Sequence, residues 1–196
     1  MPEHSLKKPL SWKTWHIPFS RDNLTLREAH ASLSALGAKQ EEIPLMIQLV
    51  ENPRFNIPGF DIFHGAVDLK THDYIHIILG RGLLSKDEAF TIGFTMGSTN
   101  KVTTLEENLY ALVSKHLYPK VYQFEDEDIH IFKDASKLGF ISDCQPLDQI
   151  DYDRYLDSSL RDIRRDIGLE GDLILAYYGI EKRRYPKSKA SQRLID

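Results

Sequence analysis

The sequence predicts an all-α fold, a mainly helical single domain with room for one short strand pair. Three observations predict it: strand-type alternation is scarce, apolar residues recur three and four apart, and helix-capping signals punctuate the chain. Thr25 and Glu28 form a capping box ahead of Leu26, Ala29, Leu33 and Leu36, and Gly37 closes that helix. Pro44 suits the first turn of a second helix ending before Asn52-Pro53, and residues 54–59 read as a loop. A third helix falls within Asp61 to Leu79 and stops near Gly80-Arg81-Gly82; Ser85 with Glu88, again in capping-box spacing, starts a fourth. Thr104 and Glu107 open a helix carrying Leu105, Leu109, Leu112, Val113 and Leu117. A shorter one runs from Asp128 to Lys137, with Gly139 as its C-terminal signal. Leu156, Leu160, Ile163 and Ile167 line the last convincing helix, closed by Gly168, and Leu173 to Tyr178 reads as a short strand or one more turn. Residues 1–181 make up the domain; residues 182–196, basic and Ser-containing, are expected to be a mobile tail.

Composition narrows the function classes. The 196 residues are 41% hydrophobic and 28% charged, a balance that excludes a disordered, collagenous or coiled-coil chain. A net charge of -4 argues against a nucleic-acid partner. Cys144 stands alone, so no internal disulfide is expected and a cytoplasmic setting is the simplest one. No apolar run approaches the roughly 20 residues that span a bilayer. Contact with the inner face of a membrane stays open, and so does a homodimer. The acidic run Glu125 to Asp128 reads as a solvated helix start.

The informative segment is His72-Asp73-Tyr74-Ile75-His76, followed after eleven residues by Glu88. On a helix, His72 and His76 project from one face a turn apart, so two imidazoles can share a metal. Asp73, rotated by about 100°, flanks that face as an oxygen ligand or as an acceptor for an imidazole N–H. Glu88, brought back by the Gly80-Arg81-Gly82 break, supplies another carboxylate. His72, Asp73, His76 and Glu88 together suit a divalent ion with open positions. The plain alternative makes Glu88 a helix cap and the histidines ordinary core residues. His64 and Asp68 would extend the stripe on a continuous helix, with a supporting or solvent role.

His-Asp-x-x-His, eleven residues, then Glu resembles the signature of the ubiquinone-biosynthesis family known as coenzyme Q biosynthesis protein four. Gly80, four residues after His76, fits the same pattern, and the run Leu160 to Leu169 is similar to the family's C-terminal Leu-x-x-x-Arg-x-x-Leu-Gly-Ile ending. Two features depart from it: Asp87 stands where Gly is usual, and the tryptophans are Trp12 and Trp15 and not part of a later Trp-rich stretch. The chain therefore reads as a divergent member. The resemblance implies a helical fold, a divalent metal on His72, Asp73, His76 and Glu88, usually zinc, with iron or manganese as alternatives. It also implies a water-insoluble isoprenoid quinone precursor as ligand, oxidative decarboxylation of the ring carboxyl group, and partnership with other biosynthetic enzymes. In such chemistry the ion stabilises developing negative charge, while Asp73 as a catalytic residue, or a metal-bound water, handles protons. The uncharged stretch Ala89 to Asn100 can line a lipid channel beside Glu88 or form a core helix.

Two other classes compete. An HD-type metal phosphohydrolase would use His72-Asp73 with His64, His116, Asp126 or Asp128, but its spacing fits poorly and it leaves Glu88 idle. A noncatalytic lipid-binding or assembly module would use the metal to staple two helices and Lys182, Arg183, Arg184, Lys187 and Lys189 to meet anionic headgroups. Zincin proteolysis lacks its glutamate and third histidine.

Overall fold

The computed structural model describes residues 11–36, 67–101, 103–104, 108, 114–115 and 123–195. These form helices α1 (Leu26–Ser34), α2 (Leu69–Leu79), α3 (Ser85–Ser98), α4 (Asp126–Ile141), α5 (Leu160–Asp166), α6 (Gly171–Arg184) and α7 (Lys189–Gln192), with two short 3-10 turns at Leu147–Gln149 and Tyr152–Tyr155. The described residues contain no sheet, so the one short strand pair that the sequence left room for has no place among them; Thr25 and Ser159 make one isolated bridge. Thr104, Asn108, Ser114 and Lys115 are helical, as the expected helix from Thr104 requires. Gly37, the helix expected after Pro44, the loop at 54–59, His64 and His116 lie outside the described residues.

Local chemistry explains where the helices begin and end. Thr25 and Glu28 form the expected capping box. Asp68 caps α2 by accepting the Thr71 N–H, so it ends the stripe expected to continue to His64 and serves the backbone there. Gly80, left-handed at φ 68°, closes α2: the Gly80 N–H donates to the Ile77 carbonyl and the Arg81 N–H to that of His76. Side chains from elsewhere take the remaining carbonyls of that end. Arg164 donates to Ile78 and Phe19, Tyr178 to Leu79, and His16 Nε2 to Gly80. The helix carrying both histidines is thus pinned at its end.

Helix α3 is buried from Lys86 to Ser98, which makes it a core helix. It lies backbone-to-backbone on α4. A Cβ at Gly97 would come within 2.0 Å of the Ser136 carbonyl oxygen, and one at Gly139 within 2.3 Å of the Phe94 carbonyl oxygen. Gly139 is therefore a helix contact, and α4 runs past it to Ile141.

Three further expectations are corrected. Leu156 precedes α5, whose cap is Ser159. Leu173 to Tyr178 belongs to α6, because Ile174, Tyr177, Tyr178 and Glu181 form one buried helical stripe. Residues 182–195 are no separate tail. Lys182–Arg184 finish α6, Leu194 is buried in the common core, and Arg193 reaches Asp87.

Candidate metal centre

Helix α2 sets His72 and His76 one turn apart, and α3 presents Glu88 to both. The His72 and His76 Nε2 atoms are 2.9 Å apart, and Glu88 Oε2 lies 3.0 Å from the former and 3.2 Å from the latter. All three residues are buried, with His76 fully enclosed. Each ring nitrogen has one in-plane N–H or lone pair, so protons alone cannot serve two partners apiece in this triangle. A single cation could serve all three. Glu88 Oε1 is buried with no hydrogen-bond partner, leaving a free oxygen at the same place. Three ligand atoms within 4.8 Å of one another, two imidazole and one carboxylate, form a group that could hold a metal ion.

Electrostatics tie the three together. Burial alone would raise the Glu88 carboxyl, but the His76 and His72 rings hold it well below the usual carboxylate range. Burial alone would lower His76, and Glu88 more than reverses that. The other ring nitrogen of His76, Nδ1, lies 3.3 Å from the buried Thr91 hydroxyl; donating its N–H there leaves the Nε2 lone pair facing the triangle. Sequence reading passed over Thr91. Its signal was the spacing, three residues past Glu88 and so on the same side of α3.

The other candidates separate from this group. Asp73, expected both as ligand and as catalytic residue, lies with its Oδ2 3.6 Å from His30 Nε2 and outside the three-residue cluster. Burial pushes its carboxyl up, against the attraction of His76, His72 and His30. Glu88 does not cap α3 from Ser85: the cap is one residue earlier, at Leu84, whose N–H is accepted by Asp87 at 3.0 Å. Asp126 pairs with Lys115 and Asp128 with Lys86, so the acids available to a phosphohydrolase site are engaged elsewhere. Lys182 donates to the Ile195 carbonyl and Arg184 pairs with Asp134, which spends part of the basic cluster on the fold itself. Cys144 is buried.

No helix among the described residues is long and apolar enough to cross a membrane. Compared with family models, curated proteins and solved structures, the chain finds no match. What fold and site define is an all-α protein with a buried His72–His76–Glu88 group able to hold a metal ion.

Proposed function

We propose that this is a divalent-metal protein whose ion is held by His72, His76 and Glu88 and is catalytic, with positions left for substrate. The observation that carries the reading is the mutual approach of three buried ligand atoms from two helices, with Glu88 Oε1 unpartnered beside them. Structural zinc sites are closed by four protein ligands, whereas catalytic ones keep three and leave the rest open. Three is the number of His, Cys, Asp or Glu ligands grouped among the described residues.

Spacing of the motif supports the finer reading, that the protein works as a divergent relative of the ubiquinone-biosynthesis family on an isoprenoid quinone precursor. Zinc, iron and manganese all suit the donor set. Asp73 then acts beside the ion, through His30 and the histidine face, and does not ligate.

Elemental analysis of untagged protein, purified without chelator, tests the metal. The expected result is about one divalent ion per chain, lost in the His72→Ala/His76→Ala variant. A folded wild type that stays metal-free after loading with zinc and iron overturns the proposal. Extraction of the metal-loaded protein for isoprenoid quinone precursors then tests the substrate class.

A further inference from the structure

We propose that the outer face of α6 is the contact surface of a two-fold dimer, on which a second copy of this chain lays its own α6 antiparallel. The inference is independent of the metal reading. Opposite its buried stripe of Ile174, Tyr177, Tyr178 and Glu181, α6 carries Asp172, Leu175, Ala176, Gly179, Ile180 and Arg183 on one face, all exposed except the half-buried Gly179. Leu175 and Ile180, 38% and 42% exposed, are two of the four large apolar side chains left in solvent among the described residues. The other two, Phe140 and Ile141, end α4 near the start of α6, where the Asp143 N–H donates to Glu170.

The order of residues along this face identifies the occupant. Asp172 and Arg183, Leu175 and Ile180, and Ala176 and Gly179 stand in pairs about one midpoint, between Tyr177 and Tyr178. A two-fold axis through that midpoint sets each residue against its pair-mate on the other copy, as an isologous contact requires. Leucine then meets isoleucine, the two small residues let the backbones approach at the centre, and each Asp172 faces Arg183 of the other copy. Antiparallel helices also bring each N-terminal dipole end beside the C-terminal end of the other. Arg184 and Lys182 are engaged within the chain, whereas Asp172 and Arg183 have no ion-pair partner among the described residues. An anionic lipid surface favours basic charge alone around an apolar stripe, and here the two ends carry opposite signs.

Size sets the strength. The 14 residues of α6 give a face about 21 Å long and about 10 Å wide. That is well below the roughly 800 Å² per partner of stable complexes, so the dimer is weak and exchanging, with a Kd on the order of 10 µM.

Sedimentation velocity of the full chain, from about 5 to about 500 µM around that constant, tests the proposal. The expected result is a concentration-dependent monomer–dimer equilibrium. Asp172→Arg and Arg183→Asp should each raise Kd at least about tenfold, because both end contacts of either homodimer become like-charged. An equimolar mixture of the two variants restores opposite charges at every end contact and should dimerise as the wild type does. Both positions are exposed, so neither change touches the core. A wild type that stays monomeric throughout overturns the proposal, as does a dimer indifferent to both variants or one that mixing fails to rescue. Flotation with phosphatidylcholine vesicles holding about 30% phosphatidylserine covers the rival occupant: a monomeric wild type bound to them gives this face to lipid and overturns the dimer.

Discussion

Replacing Glu181 by Ala should cost more stability than any surface substitution, because it strands a buried cation. Arg81 has no exposed side-chain surface, lies 3.9 Å from the Phe90 ring centroid and 4.2 Å from that of Tyr178, and makes bonds of 3.1 and 2.7 Å to the two Glu181 oxygens. Burial alone would depress the guanidinium; the Glu181 carboxylate reverses this and holds it above its ordinary value. Without Glu181, the nearest remaining carboxylate oxygen paired with it is Asp87 Oδ1 at 4.0 Å. Removing one partner of such a pair costs about 3–5 kcal/mol. Unfolding entropy of about 2.1 cal/mol/K per residue gives about 0.41 kcal/mol/K for this length, so Tm should fall by about 7–12 °C. Thermal melts followed by circular dichroism measure this, alongside the apolar double variant Arg81→Met/Glu181→Leu. That variant should recover most of the loss, since apolar pairs often replace buried ion pairs at no net cost. A Glu181→Ala loss below about 1 kcal/mol, the range of exposed pairs, would refute the reasoning. So would a double variant as unstable as the two single changes added together.

Three more predictions follow from packing and capping. Thr91→Val should weaken metal binding about 10- to 100-fold in a chelator competition while Thr91→Ser retains it, since the hydroxyl orients His76. Gly97→Ala should destabilise by at least about 2 kcal/mol in denaturant melts even after the helix-propensity gain of about 1 kcal/mol, because its Cβ would meet the Ser136 carbonyl oxygen at 2.0 Å. Gly179→Ala, whose nearest atom is 3.6 Å away, is the control and should not destabilise. Asp68 bears on pH. The Thr71 N–H holds its carboxyl below the ordinary value, so its contribution is complete above about pH 4 and fades as pH falls through the lowered value. Asp68→Asn should flatten the acid limb of the stability curve, and Asp68→Ala should cost about 1 kcal/mol at neutral pH.

The helices that sequence made legible are those with a polar cap and an apolar stripe on one side, such as α1. Where burial is all-round or the stripe is mixed, the signal fades. In α6 the buried face is Ile174, Tyr177, Tyr178 and Glu181, two tyrosines and a charge whose burial depends on a partner 100 residues away in sequence. Gly139 reads locally as a stop, yet it leaves space for another helix's backbone, which only the packing against Phe94 reveals. At the site, i,i+4 spacing was enough to pair the histidines, because it is fixed by helix geometry. Asp73 was harder, since its neighbour in sequence says nothing of His30, which comes from α1.

Glu88 shows how one residue of register separates a cap from a ligand. With Ser85 as cap, Glu88 would sit three residues in, turned back on the backbone; with Leu84 as cap, Asp87 takes that duty and Glu88 turns about 100° further, toward α2. The charges then sort themselves. Of the buried acids, Asp87 faces Arg193 and Arg81, Glu181 faces Arg81, and Asp128 faces Lys86, whereas the ion-pair partners of Glu88 are His72 and His76. A buried carboxylate needs a compensating charge. At Glu88 that charge is a proton on the histidines or a metal ion. Because Glu88 holds His76 above its ordinary value, the metal-free His76 ring keeps its proton to higher pH than a free imidazole does, and an ion entering the site must displace it. Adding metal to weakly buffered apoprotein at about pH 6, below the ordinary imidazole value, should therefore release protons, counted with an indicator dye. Stoichiometric metal uptake with no proton release would mean that the His76 ring was already neutral and that Glu88 draws its compensation from elsewhere.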